Sequence, residues 1–147
     1  MADIKRIIRK GDKVAVTYTG TLDTGEIFDS NVGKTPFVHV VGDGQTISGF
    51  DENIIGMAED EEKRFTVLPE KGYGQYHEKL AYQIPRKQLG DITPQVGTEL
   101  LLKSNAGNKT TAKARITKVE QDKVTLDMNH PLAGKNLTFL VRIDQIF

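Results

Sequence analysis

Side chains that could do covalent or metal chemistry are few in this sequence, and they do not cluster. None of the 147 residues is Cys, which excludes a disulfide, a thiol nucleophile and a thiolate metal site. The three histidines, His39, His77 and His130, are far apart and lack the spacing of metal ligands. We interpret them as strand, linker and loop residues, and we expect neither a metal nor a cofactor.

The aromatic residues, in contrast, are distributed unevenly. Ten are present, and only Tyr82 lies within residues 77–130. That segment also carries nine Lys/Arg against six Asp/Glu, whereas the rest of the chain carries eleven against fourteen. Such shifts indicate a separate unit inserted into a host, although chance is the alternative explanation. We predict a host domain of residues 1–76 and 131–147 and an inserted domain of residues 77–130.

Overall composition points to a soluble globular protein without general affinity for polyanions. Hydrophobic residues make up 37%, and 20 basic residues balance 20 acidic ones. This balance gives no general attraction to nucleic acid or to a membrane surface. The N-terminal sequence lacks an apolar signal core, and no apolar run approaches the roughly 18 residues that span a bilayer. We therefore expect a monomeric cytoplasmic protein.

A short helix is predicted just after Ser48. Ser48 and Asp51 have the spacing of a capping box, in which each side chain bonds a backbone amide of the first turn. Gly56 is placed to end the helix. One apolar stripe is formed by Phe50, Ile54 and Met57. A helix of about two turns needs tertiary packing to persist in water, so we expect this stripe to lie against a sheet.

Alternation of apolar and polar residues predicts that sheet. The host strands are expected at Lys13–Leu22, Ile27–Ser30, Phe37–Val41, Lys63–Leu68 and Asn136–Phe147. The host is therefore predicted to be an α+β domain, with a bent antiparallel sheet wrapped on a short helix.

The inserted segment is predicted to be a small, mainly β unit. Its expected elements are an extended Leu80–Ile84, a helical turn from Pro85 to Leu89, and strands at Glu99–Ser104, Thr110–Val119 and Val124–Met128, with a hairpin loop at Asn105–Asn108. A unit of roughly 50 residues is marginal alone, so we expect its attachment to the host to help.

Six short motifs of the host resemble the FKBP-type peptidyl-prolyl isomerases in order and spacing. They are Tyr18-Thr19-Gly20, Phe28-Asp29-Ser30, Pro36-Phe37, Ile47-Ser48-Gly49-Phe50, Gly72-Tyr73-Gly74 and Leu137-Thr138-Phe139. The insertion, which re-enters at 129–137, resembles the SlyD-like branch, whose members carry an insert-in-flap chaperone domain there. The resemblance implies an FKBP-like fold and an enzyme that accelerates rotation of X–Pro bonds in folding polypeptides.

The resemblance also implies a substrate pocket. Its aromatic wall and floor would be Tyr18, Phe28, Phe37, Phe50, Tyr73 and Phe139. Thr46 and Ile47 would form the lip, where the Ile47 N–H meets a substrate carbonyl. Asp29 would lie beside the carbonyl of the twisting bond, and Leu132 would close one side. The catalytic members of this set would be Tyr18, Phe28, Asp29, Ile47, Tyr73 and Phe139.

Three departures from the family pattern matter. Phe50 stands where Trp is frequent in the wider family, and Thr46 stands where Val is common. Both changes imply weaker binding of the large macrolide inhibitors known for the family. SlyD-like proteins often end in a His-rich metal-binding tail, and this sequence ends at Phe147 without one. We expect no tight nickel or zinc site.

The insertion also contains candidate residues for binding unfolded chains. Leu100-Leu101-Leu102 breaks strand alternation, so one leucine is expected to face outward. An apolar groove for extended clients is predicted from Tyr82, Ile84, Leu89, Val96, Leu100 and Leu102. The alternative is that these residues only form the core of the small domain.

Two other functions are compatible with the sequence. One is a non-catalytic FKBP-like chaperone or adaptor, against which the retained pocket residues argue. The other is a nucleic-acid binder that uses the basic insertion. With one aromatic residue and a small excess of positive charge, the insertion lacks a stacking platform for bases.

Overall fold

A computed structural model describes residues 4–103 and 111–147. The chain forms two compact units. The first unit comprises the chain up to Gln75 together with Leu132–Phe147, and the second comprises Tyr76–Pro131. These limits differ by one residue from the predicted host and insertion.

Within the described residues, the structure has nine strands and one α-helix. The helix, α1, is Ser48–Ile54. The strands are β1 Lys13–Thr21, β2 Ile27–Ser30, β3 Phe37–Val40, β4 Glu62–Val67, β5 Ala81–Pro85, β6 Glu99–Lys103, β7 Thr111–Val119, β8 Lys123–Asp127 and β9 Leu137–Ile146. Short 3₁₀ helices lie at Pro69–Lys71, Glu78–Leu80 and Arg86–Leu89. The predicted loop at Asn105–Asn108, together with Ser104 and Thr110, falls outside the described residues.

The first unit is built on an antiparallel sheet in the order β2-β1-β9-β4. β3 pairs with the start of β1, and β2 pairs with its end. β9 runs along the whole of β1 on the other side. Alternate residues of β9 are buried, as a one-sided sheet requires. The predicted α+β fold is therefore confirmed.

The helix packs its predicted stripe into the core of this unit. Phe50, Ile54 and Met57 are 2%, 0% and 2% exposed. The capping box, however, was a wrong prediction. Ile47 occupies the N-cap position without a side-chain cap, and the Ser48 hydroxyl donates to the Lys71 carbonyl instead.

The second unit contains the other sheet, in the order β5-β8-β7-β6. Its core consists of Leu89, Ala114, Ile116, Val124 and Leu126. At the base of the unit, the His77 N–H donates to Asn129 Oδ1, and Asn129 Nδ2 donates to the His77 carbonyl, both at 3.0 Å. These bonds join the two ends of the second unit.

A hydrogen bond also joins the two chain segments of the first unit where the second unit is inserted. The Gly134 N–H donates to the Gly74 carbonyl at 2.7 Å. The points at which the chain leaves and re-enters this unit are therefore neighbours. A short loop could connect them without disturbing the sheet.

Candidate active site

The register of the first sheet brings three site positions into one row. Gly20 on β1 lies opposite Asp29 on β2 and opposite Phe139 on β9. A strand places alternate side chains on one face, so Tyr18 and Gly20 share the inner face of β1. Residues that are more than a hundred positions apart in the chain thus meet at this end of the sheet.

Gly20 makes room for an aromatic ring. A Cβ atom on Gly20 would lie 2.5 Å from Cζ of Phe28, closer than real Cβ contacts. Without a side chain at this position, the Phe28 ring crosses β1 and packs edge-on against Phe139, with ring centroids 5.7 Å apart. The glycine of the Tyr-Thr-Gly motif therefore has a packing role.

The resulting cleft has a volume of about 190 Å³. Its lining residues are Tyr18, Phe28, Asp29, Phe37, Gln45, Thr46, Ile47, Phe50, Tyr73 and Phe139. The rings meet mainly edge to face. Phe50 lies 5.2 Å from Phe139 and 5.9 Å from Tyr18, measured between ring centroids. Such packing holds aromatic walls in defined orientations.

Tyr18 and Asp29 form a polar contact at the mouth of this aromatic cleft. The Tyr18 hydroxyl donates to Asp29 Oδ2 at 2.7 Å. Burial, together with the adjacent Asp29 carboxylate, raises the pKa of Tyr18 to about 12. The phenol thus stays a neutral donor at physiological pH and fixes the carboxylate at the mouth of the cleft.

Asn31 holds the backbone that carries Tyr18. It lies where β1 passes from β3 to β2 as its partner. Its side chain accepts the Tyr18 N–H at 2.7 Å and donates to the Val16 carbonyl at 3.0 Å. These bonds replace strand pairing at the gap between β3 and β2.

The lip of the cleft offers a backbone donor. Ile47 precedes α1, and its carbonyl accepts the N–H groups of Phe50 and Asp51. Within the described part of the chain, the Ile47 N–H donates no hydrogen bond. A carbonyl group that enters the cleft could accept a hydrogen bond from this N–H.

A comparison with protein families identifies this architecture. The model of the FKBP-type peptidyl-prolyl cis-trans isomerases matches residues 5–112. This chain belongs to the FKBP-type peptidyl-prolyl cis-trans isomerase family. The family assignment made from the sequence motifs is thus confirmed.

Curated relatives extend the likeness over most of the chain. A short-type peptidyl-prolyl cis-trans isomerase of Methanocaldococcus jannaschii is 38% identical, with 95% of this chain and 94% of the relative aligned. The SlyD isomerase of Aeromonas hydrophila is 32% identical over 90% of this chain and 61% of its own length. A probable 16 kDa FKBP-type isomerase of Pseudomonas fluorescens is also 32% identical, over 92% of this chain and 89% of the relative.

The cleft of this FKBP-family member brings together nine of the ten pocket residues predicted from the sequence. Leu132 is the exception. It is half-buried against the hydrophobic core and is not part of the cleft lining. Sequence reasoning missed Gln45, which lines the cleft and accepts the Val40 N–H through Oε1 at 2.8 Å. Its position directly before Thr46 and Ile47 was the available signal.

The six residues predicted to form a groove in the second unit are divided by the structure. Leu89 lies in the core of that unit, which corrects its assignment to an open groove, and Ile84, Leu100 and Leu102 pack against the core. Tyr82 and Val96 are exposed. Because alternate side chains of β6 point to opposite faces, the outward leucine is Leu101, which is 56% exposed.

No group of three or more His, Asp or Glu side chains in the described ranges is arranged to hold a metal ion. Among the same residues, no helix has the length and apolar character that crossing a membrane requires.

Proposed function

We propose that this protein catalyses cis–trans isomerisation of X–Pro bonds in polypeptides, using the aromatic cleft of the first unit. The observation that carries the proposal is the combination of an aromatic cleft with an unpaired backbone donor, the Ile47 N–H, at its lip. Family membership supports the same reaction.

The chemistry requires little more than this cleft. Rotation about a peptide bond crosses a barrier of about 18–20 kcal/mol, because the planar amide is stabilised by resonance. Water favours the more polar planar form, whereas an apolar cleft favours the twisted amide, in which resonance is lost. Since no covalent bond is broken, the reaction needs no nucleophile.

We assign roles to individual residues on this basis. The Ile47 N–H holds a substrate carbonyl while the proline ring turns among Phe28, Phe50 and Phe139. Asp29, fixed by Tyr18, faces the carbonyl of the twisting bond. Interactions that strengthen as the bond twists are those that accelerate it.

The test uses variants of two cleft residues, the carboxylate Asp29 and the exposed aromatic Tyr73. Asp29→Leu and Tyr73→Ala are each expected to lower kcat/KM on a short proline peptide at least several-fold. Glu26→Leu is the matched control for Asp29, because it removes an exposed carboxylate from the preceding turn. Full activity of both folded variants would show that the cleft is not the site.

A second proposal concerns the second unit, which we infer holds unfolded clients. The supporting observation is exposed apolar surface: Tyr82 is 38%, Val96 69% and Leu101 56% exposed. We expect Leu101→Glu combined with Val96→Glu to weaken suppression of aggregation of a reduced model client. Ile4→Glu, at a 97% exposed position of the first unit, is the control. Equal suppression by all variants would contradict client binding at these residues.

Other partners remain at the level of proposals. We propose weak binding of macrolide inhibitors, because Phe50 forms a smaller floor than Trp and Thr46 makes the lip more polar. The non-catalytic adaptor is the competing function, and a wild-type protein without isomerase activity would favour it. The expected cytoplasmic location, monomeric state, and absence of nucleic-acid and membrane partners stay predictions from the sequence.

A further inference from the structure

A buried polar pair lies behind the cleft. His39 on β3 is 2% exposed and Asp51 on α1 is 5% exposed. The His39 Nε2 atom is 2.8 Å from Asp51 Oδ1. Neither residue lines the cleft, so neither was a candidate from the pocket alone.

The two members of the pair contact the cleft wall and the loop that leads to the lip. The His39 ring stacks on Phe37, with centroids 4.5 Å apart and planes inclined by 12°. The second oxygen of Asp51, Oδ2, accepts the Gly42 N–H at 2.8 Å. Asp51 also follows Phe50, the floor residue, in the first turn of α1. The pair therefore joins a strand, a loop and a helix.

The loop that is held in this way leads directly to the lip. It starts at Gly42, which has a φ of +84°, and it ends at Thr46 and Ile47. Its other side-chain anchor is Gln45, whose Oε1 accepts the Val40 N–H. The position of the Ile47 donor relative to the Phe37 wall thus depends on bonds made by two side chains, those of Asp51 and Gln45.

Stability alone is a weak explanation for such a pair. Replacing both partners of a buried hydrogen bond with apolar groups of the same shape is often nearly neutral or stabilising. Apolar contacts, however, are non-directional, whereas a carboxylate that accepts two bonds fixes the relative orientation of its donors. A site that holds its substrate through the Ile47 N–H requires a fixed orientation of the lip.

We infer that His39 and Asp51 are positioning residues of the cleft, which set the Ile47 lip against the Phe37 wall. The inference rests on the proposed isomerase function. In it, Asp51 holds the lip loop through Gly42, and His39 links this carboxylate to the aromatic wall.

The experiment separates the two halves of the pair. Asp51→Asn leaves one oxygen acceptor in place of two, so the side chain can no longer accept from both the His39 ring and the Gly42 N–H. His39→Phe keeps a ring against Phe37 but removes the bond to Asp51. The control is Thr17→Val, which removes a hydrogen bond to the Asp144 carboxylate on the opposite face of β1.

Three quantities are measured for each folded variant: the backbone amide resonances of residues 42–47, the Kd of a proline peptide from the same titration, and kcat/KM. We expect Asp51→Asn and His39→Phe to shift the lip resonances and to raise Kd about five- to tenfold, the effect of one misplaced hydrogen bond. kcat/KM should fall in parallel. Thr17→Val should leave all three quantities near the wild-type values.

The outcomes are distinct. If the lip resonances, Kd and kcat/KM of the pair variants all stay near the wild-type values, the pair is only structural and the inference is overturned. If one variant does not fold, the other decides. If the wild-type protein itself lacks isomerase activity, the proposed function fails, while the resonances and the peptide Kd still test the positioning role.

Discussion

The contact between Gly20 and Phe28 gives the sharpest test of how the fold forms the cleft. In Gly20→Ala, the new Cβ would lie 2.5, 2.8 and 3.0 Å from Cζ, Cε1 and Cε2 of the Phe28 ring. The Phe28 ring cannot stay in place, because the alanine methyl group is fixed to the backbone and no side-chain rotation can move it away from the ring. Phe28 must therefore turn away from β1 and from Phe139.

The size of the effect follows from what Phe28 loses. An edge-to-face aromatic pair is worth about 0.5–1.5 kcal/mol beyond its buried area. If this contact supports the wall in the transition state, kcat/KM falls by about 2- to 12-fold. Overpacking should also lower the free energy of unfolding by about 1–3 kcal/mol.

The assay is kcat/KM on a short proline peptide, with circular dichroism and a denaturant titration on the same preparation. Thr21→Ala is the matched control, because Thr21 lies on the same strand but on the opposite face. A folded Gly20→Ala variant with wild-type kcat/KM would refute the argument that Phe28 forms a working wall of the cleft.

Three further predictions follow from the structure. Because burial and the neighbouring Asp29 raise the pKa of Tyr18 from 10.0 to about 12, the stability it supplies should be complete below pH 10 and lost as the pH rises through 12; ultraviolet absorbance titration should show a late-ionising tyrosine that Tyr18→Phe removes. Burial raises the pKa of Asp127, but hydrogen bonds from Asn129 and Tyr76 outweigh it and hold that pKa below 3.8. The contribution of Asp127 to stability should therefore be present above that value and disappear at lower pH. In Asp127→Asn, the stability of the second unit, followed by hydrogen exchange, should depend less on pH in the acid range. Deleting Glu78–Met128 and closing the gap with a short Gly-rich loop should leave a folded first unit, with a modest loss on short peptides but a loss of about 10²-fold in proline-limited refolding, because tethering raises the local concentration of client prolines. An equal loss in both assays would contradict the tethering argument.

Local sequence patterns were sufficient to predict the positions of the helix and of the strands of the first unit. Period-two alternation located the five strands of the first unit to within a residue or two at each end. The apolar stripe at Phe50, Ile54 and Met57 located the helix. Both signals are local, since each depends on which side of one strand or helix faces the core. The motif register then supplied the family.

Details that depend on partners distant in sequence were decided by tertiary structure. Ser48 and Asp51 have the spacing of a capping box, but Asp51 is bound to His39, twelve positions away. No local rule contains that partner. The roles of Asn31 and Gln45 were not predicted for the same reason. Asn31 accepts the N–H of Tyr18 on β1, and Gln45 accepts the N–H of Val40 on β3. Which backbone N–H groups need such a partner is decided only when these strands are in place.

The second unit shows the same division. The sequence showed that Leu100-Leu101-Leu102 breaks alternation and that one leucine faces outward. It did not show which one, because a shift of register by one residue exchanges the two faces of a strand. Pairing of Leu101 with Lys113 on β7 fixed that choice. Leu100 and Leu102 are partly buried against the core, and Leu101 is exposed.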